Sequence, residues 1–255
     1  MEIKRKNAVV IGGASGMGRA SAELLAARGA NVAVLDRAVP AGTEVAAAIG
    51  GTFHPVDVTD FDATESALAA AVDALGGLHV CVTTAGGGVA QRTLSKDGPH
   101  DLETFRRVLD LNVVATFNIN RLAAAHMSRN EPEDPDTGER GVIINTSSIA
   151  AFEGQIGQVA YSAAKAAIAG MSLTMARDLG SLGIRVLAIA PSLFETGAVT
   201  KLSPEKRAAL VKDAAFPKRM GRPEEYAKLV LAIVDNPMLN GQCLRLDAGQ
   251  RFAPR

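Results

Sequence analysis

Seven short runs rich in β-branched residues recur along the chain, and each of the first six is followed by a longer amphipathic stretch. The runs are Asn7–Ile11, Asn31–Asp36, Thr52–Val56, Leu78–Thr83, Val142–Thr146, Ile184–Ala190 and Cys243–Leu246. Continuous apolar runs of this length read as strands buried on both faces. Between them, Gly16–Arg28, Ala41–Ile49, Asp62–Leu75, Leu102–Arg129, Gln158–Leu182 and Pro223–Val234 carry the alanine and leucine content and apolar spacing of helices. Strict alternation of strand and helix admits few architectures. Right-handed crossovers place each helix against the sheet, so the expected fold is α/β, one doubly wound domain with a seven-stranded parallel sheet and helices on both faces.

A chain of 255 residues, 47% of them hydrophobic, suffices for one such core. Folding at this length removes roughly 70–75% of the surface exposed by the unfolded chain. No disulfide framework is needed, and Cys81 and Cys243 have no partner at metal-ligand spacing. Both read as small core residues without an electropositive neighbour, and the four histidines are scattered, so no metal site is expected. The 27 basic and 27 acidic residues cancel. Without a global field for nucleic acid or anionic lipid, any anion must be bound locally, and neither is an expected partner. The apolar run after the basic start is only Ala8–Ile11, too short for a signal peptide, and no run is long enough to span a membrane. The expected location is therefore cytoplasmic.

Two segments break the rhythm. Ser128–Arg140 is polar and rich in turn formers, and reads as a solvated loop. Ser192–Arg222 follows the sixth strand and mixes apolar and charged residues, as a lid over a site would. Its Lys201, Lys206, Arg207 and Lys212 could meet phosphates but read better as a solvated helix face.

Between the first strand and first helix lies Gly12-Gly-Ala-Ser15-Gly16-Met17-Gly18. Glycines there permit a tight turn and a close backbone approach to a pyrophosphate, which the free N–H groups of the helix start attract. Asp36 ends the second strand 18 residues beyond Gly18, where its carboxylate could accept from both adenosine ribose hydroxyls and repel a 2′-phosphate. NAD is thus favoured over NADP. Arg37 is the complication, since its guanidinium could pair with such a phosphate or simply lie exposed in a turn. Asp57, with Val58 after it, either meets the adenine or caps a turn.

Tyr161 and Lys165 stand one helical turn apart on the same face. A cation within ~4–6 Å favours the phenolate of a tyrosine, whose ordinary pKa of about 10 is too high for a base near neutrality. Ser148, 13 residues earlier, ends the fifth strand run, where its hydroxyl could reach the same substrate oxygen. Gln155 lies between them on a loop expected to border the substrate, either donating to its carbonyl or exposed.

These motifs together resemble the short-chain dehydrogenase/reductase family over essentially the whole chain. Gly12, Gly16 and Gly18 match its glycine motif, and Ala85-Gly86 the end of its Asn-Asn-Ala-Gly motif. Ser148, Tyr161 and Lys165 match its catalytic triad, Asn112 the asparagine that completes the tetrad, and Pro191 to Thr196 the segment beside the nicotinamide. Ala151-Phe-Glu-Gly-Gln155 and Arg245-Leu-Asp247, among others, are similar to one branch, the type 2 3-hydroxyacyl-CoA dehydrogenases that also oxidise hydroxysteroids. The resemblance implies a Rossmann domain, and reversible hydride transfer between a secondary alcohol and NAD. It implies that Tyr161 is the acid/base, that Ser148 holds the substrate oxygen and that Lys165 meets the nicotinamide ribose. Asn112 would order a water on the proton path, and the assembly would be a homotetramer. An NADPH-dependent 3-oxoacyl-carrier reductase and a dinucleotide-binding sensor are the alternatives. Ile11, Thr83, Thr84 and Ser192 depart from the family pattern. The first three alter how the first and fourth strand ends are tied, and Ser192 adds a side chain near the nicotinamide.

Overall fold

The computed structural model describes residues 1–132, 138–197, 199 and 203–254. The strands are β1 (Asn7–Ile11), β2 (Asn31–Asp36), β3 (Thr52–Pro55), β4 (Val80–Thr83), β5 (Leu94–Ser95), β6 (Gly98–Pro99), β7 (Gly141–Thr146), β8 (Ile184–Pro191) and β9 (Cys243–Leu246). The helices are α1 (Gly16–Ala27), α2 (Val39–Ile49), α3 (Phe61–Leu75), α4 (Leu102–Leu109), α5 (Ala115–Met127), α6 (Val159–Leu179), α7 (Pro204–Leu210) and α8 (Pro223–Asp235). Seven strands form one parallel sheet in the order β3-β2-β1-β4-β7-β8-β9, while β5 and β6 make a separate two-stranded hairpin. The central strands are buried throughout, as continuous apolar runs require, and the edge strands β3 and β9 are only partly so.

Two apolar layers cover the sheet. One packs Leu68, Ile119, Ala123 and Met127 of α3 and α5 on Cys81 and Ile143, and the other packs Leu25, Tyr226 and Val230 of α1 and α8 on Val10 and Ile144. Each fully buried branched side chain there contributes about 1.5–3 kcal/mol. Helix ends are set locally: Asp60 and Asp101 cap α3 and α4 by accepting from the N–H groups of Ala63 and Thr104.

The stretch expected as one helix from Leu102 is broken by a π-turn at Asp110–Val114. One extra residue per turn re-aims the helix there, which is why such turns cluster at functional sites. The segment expected as a lid contains α7, and Phe194 bridges back to Gly221. Lys201, and part of the polar loop before β7, lie outside the described residues. No helix among the described residues is long and apolar enough to cross a membrane.

Candidate active site

Strand order reverses between β1 and β4, and the loops leaving the carboxyl ends of β1, β4, β7 and β8 gather at that crevice. This is where open parallel sheets bind ligands. Two adjoining cavities occupy it. The first, ≈ 240 Å³, is lined by Gly12, Ser15, Asp36, Asp57, Val58, Ala85 and Gly86, with Arg37 at its edge. The second, ≈ 220 Å³, is lined by Met17, Gly86, Ser148, Tyr161, Lys165, Pro191 and Thr196, together with Ser192.

The glycine loop sets the floor. Gly12 has a left-handed φ of 80°, and a Cβ there would lie 2.6 Å from the Ala85 nitrogen. A Cβ on Gly18 would strike the Gly12 carbonyl, so α1 can start this close to β1 only without a side chain. Ser15 stands at the N-cap of α1 in extended conformation, with no side-chain cap bond, and the first turn has no acidic residue. The helix start therefore offers its N–H groups to an anion. Thr84, where the family has asparagine, makes the tie between strand ends itself: its hydroxyl is 3.1 Å from both the Ile11 and Gly12 carbonyls. Asp36 accepts from the N–H of Ala14 (3.1 Å) and of Ala38 (2.9 Å), which fixes its carboxylate at the cavity wall. Asp57 holds the Thr59 hydroxyl (2.7 Å) and N–H (3.0 Å), bonds that keep its carboxyl below the usual carboxylate range. It thus makes the turn foreseen for it and still lines the cavity.

Tyr161 lies in the first turns of α6 and Lys165 one turn on. Lys165 is 3% exposed, and its Nζ donates to the Thr146 carbonyl at 2.8 Å and stands 5.7 Å from the Tyr161 ring centre. Burial pushes its pKa down to about 8, so it remains cationic at neutrality. A cation in this position favours the phenolate. Burial is the larger influence and raises the Tyr161 pKa, with a hydrogen bond from Ser148 opposing it. Ser148 caps the short turn Ile149–Ala151 by accepting from the Ala150 N–H at 3.1 Å, which holds its side chain at the strand end.

Three supporting groups were not read from the sequence. The Thr146 hydroxyl bonds the Thr83 carbonyl (2.6 Å) and the fully buried Tyr226 hydroxyl (2.7 Å), anchoring the carbonyl that Lys165 uses. Ser147 ties the Lys165 carbonyl (2.7 Å). A Cβ on Gly88 would meet the Tyr161 ring at 2.6 Å, so the loop after β4 runs directly over the phenol. Ser147 beside Ser148 was the available signal.

Asn112 sits in the π-turn and is fully buried. Its two amide hydrogens go to the carbonyls of Gly87 (2.7 Å) and Val108 (2.8 Å), and its Oδ1 accepts from the Gly87 N–H (3.2 Å). The water expected there is left one Oδ1 lone pair or the main chain. Gly86 fits between Asn112 and Lys165, 2.7 and 3.1 Å from where its Cβ would be. Gln155 is not brought beside Ser148 and Tyr161. Its amide donates to the Ala253 carbonyl (3.1 Å), and it lines a separate open cavity of ≈ 650 Å³. Cys81 is buried and inert, its thiol pushed up to about 12. Cys243, expected in the core without a cationic neighbour, is only partly buried and feels Arg245, although burial still raises its pKa. No cluster of metal-ligating side chains occurs among the described residues.

A sequence model of the short chain dehydrogenases matches residues 6–207. The 3-hydroxyacyl-CoA dehydrogenase type-2 of Drosophila melanogaster is 48% identical over 99% of this chain and 100% of its own. The Homo sapiens protein of the same name is also 48% identical, over 99% and 97%. The crystal structure of 3-hydroxyacyl-CoA dehydrogenase type-2 from Mycobacterium avium has a TM-score of 0.93 at 40% identity, covering 100% of both chains. A 7α-hydroxysteroid dehydrogenase complexed with NADH and 7-oxo glycochenodeoxycholic acid has a TM-score of 0.86 at 29% identity, covering 98% of this chain and 96% of its own.

Proposed function

The chain belongs to the short-chain dehydrogenase family, oxidoreductases of CH–OH groups that use a nicotinamide dinucleotide, and from that premise we propose an NAD-linked 3-hydroxyacyl-CoA dehydrogenase that also accepts hydroxysteroids. The observation that carries this reading is the convergence of Ser148, Tyr161 and Lys165 on one cavity that adjoins a second walled by Asp36. The cradle left by Gly12 and Gly18 and the uncapped start of α1 fit a pyrophosphate, and the fixed Asp36 carboxylate fits a ribose diol. Gly12, Ser15, Gly16, Met17, Gly18, Asp36, Asp57, Val58, Ala85, Gly86, Pro191 and Thr196 would hold the dinucleotide, with Lys165 on its second ribose.

When bound, the nicotinamide supplies the acceptor or donor of the hydride. The chain's own groups handle the proton. The Tyr161 oxygen takes the alcohol's hydroxyl proton in oxidation and returns it in reduction. Its burial keeps the phenol protonated, which suits the acid needed for a ketone, and Ser148 and Lys165 favour the phenolate needed for an alcohol. Ser148 also holds the substrate oxygen beside the phenol. Asn112 fixes the Gly86-Gly87 turn against Lys165, and its remaining Oδ1 lone pair would hold the water that carries the proton onward.

Arg37 lines the first cavity and supports NADPH as the second reading. Nicotinamide absorbance with acetoacetyl-CoA and a steroid panel separates the two. Acetoacetyl-CoA reduction with a preference for NADH of about tenfold or more is expected, since a charge-assisted hydrogen bond contributes ~1.5–3 kcal/mol. A preference for NADPH overturns the Asp36 argument, and binding without turnover favours a sensor. For the assembly we propose a homotetramer, because Val114 and Phe117 at α5 and Val159 and Leu173 of α6 expose apolar surface. Light scattering at the mass of a monomer would refute it.

A further inference from the structure

Two fragments that stand apart in the sequence, Phe152-Glu153 and Arg245-Leu-Asp247, meet in the structure. The Arg245 guanidinium grips both oxygens of Glu153, at 2.8 and 2.9 Å, bonds Asp247 at 2.6 Å and the Gln250 carbonyl at 3.1 Å, and lies over the Phe152 ring. A planar fork in parallel contact with a carboxylate is the geometry that defines position as well as supplying energy. Glu153 follows Ser148 by five residues, on the strip that continues to Gln155.

The segment after β9 extends this grip in both directions. Toward the strip, the Ala253 carbonyl accepts from Gln155 and the Pro254 carbonyl from the Ile156 N–H (3.0 Å). Toward the segment after β8, the Gln250 amide, 2% exposed, donates to the Leu210 carbonyl at the end of α7 (2.9 Å). The Ala248 carbonyl accepts from the N–H groups of Ala215 (2.9 Å) and Phe216 (3.1 Å). One short stretch of chain therefore bonds both the strip that runs between Ser148 and Tyr161 and the segment after β8, whose Ser192, Leu193 and Phe194 line the same cavity as those two residues.

We propose that Glu153, Arg245 and Gln250 are positioning residues of a clasp that sets the spacing between these two segments, each continuous with residues that line the cavity, and thereby the affinity for the substrate. None of the three lines the cavity or touches the glycine loop. The clasp acts on the ground-state fit of the substrate and leaves the proton and hydride groups in place. This inference rests on the dehydrogenase reading above.

The test uses Glu153→Gln and Arg245→Lys, which keep shape or charge and lose the two-pronged contact, and Gln250→Leu, which fills similar space without the amide. Glu153→Gln and Arg245→Lys should each raise the substrate KM by about tenfold, the weight of one charge-assisted hydrogen bond, and Gln250→Leu by about threefold to tenfold, the weight of a neutral one. The KM for NADH and kcat should stay within about twofold, and Glu153→Gln/Arg245→Lys should be no worse than either single variant. Hydrogen exchange supplies a readout independent of turnover: in Glu153→Gln, amides at 210–216, beyond the Gln250 link, should exchange faster together with those at 152–157. An unchanged substrate KM, a loss falling on kcat or on NADH, or faster exchange confined to 152–157 would overturn the clasp. Failure of the dehydrogenase reading shows separately, as absence of turnover in the unmodified protein, and leaves the exchange experiment decisive.

Discussion

Replacing Lys165 by Met keeps a side chain of similar length and removes the charge. Nζ stands 5.7 Å from the centre of the Tyr161 ring, in a site shielded from water. At an effective dielectric of about 20, a unit charge at that separation favours the phenolate by roughly 3 kcal/mol. That is about a hundredfold in phenolate population. Burial pulls the other way at Tyr161, so only the Ser148 hydrogen bond would remain to favour ionisation. The assay is kcat/KM for alcohol oxidation across pH, with dinucleotide binding followed separately by fluorescence. The account expects a loss of about a hundredfold near pH 7 that narrows as alkaline solvent ionises the phenol unaided. A deficit of the same size at every pH would mean that Lys165 works only by holding the dinucleotide, and would refute the electrostatic argument.

Lys165 also links stability to pH. Its folded pKa of about 8 lies below the ordinary 10.5, so its burial costs stability in full below about pH 8 and progressively less toward 10.5. The unmodified protein should accordingly gain Tm across that window relative to Lys165→Met, and parallel curves would contradict the assignment. Gly18→Ala would place a Cβ 2.5 Å from the Thr84 hydroxyl and against the Gly12 carbonyl, which cannot yield. Dinucleotide affinity should fall by about a hundredfold or more with the circular dichroism spectrum retained, as displaced N–H groups each forfeit ~1.5–3 kcal/mol with a charged ligand; unchanged affinity in titration calorimetry would place the pyrophosphate elsewhere. Tyr226→Phe removes the partner of the Thr146 hydroxyl, and denaturant unfolding should show a loss of about 1–3 kcal/mol. No loss would mean that the Thr146 hydroxyl is satisfied by Thr83 alone.

Local chemistry was legible in the sequence and distant pairing was not. β1, β2 and β9 begin and end where their β-branched runs do, and β3, β4, β7 and β8 within a residue or two, because a strand in the interior of a parallel sheet admits little else. The π-turn at Asn112 escaped, since one inserted residue barely disturbs a helical period over so long a stretch. The β5–β6 hairpin escaped too, although Asp97-Gly98 is a turn signal. Helical spacing put Tyr161 and Lys165 on one face, and that much follows from two residues four apart. The burial that raises the Tyr161 pKa is a tertiary property, shared with the loop at Gly88 that packs against its ring, and no local pattern encodes it. Gln155 was drawn toward the substrate by its place in the chain, but its partner Ala253 is 98 residues away, and Glu153 and Arg245 are 92 apart. Such contacts exist only once the sheet has brought the ends of β7 and β9 to one side.

The central claim is that the Tyr161 oxygen carries the proton exchanged with the substrate. Tyr161→Phe, assayed for NADH-dependent reduction of acetoacetyl-CoA beside a direct measurement of NADH binding, tests it with the loss of one atom. The account predicts kcat lower by about 100- to 10,000-fold, the contribution of a positioned acid/base, with NADH affinity unchanged. Turnover within a few-fold of the unmodified protein would contradict it.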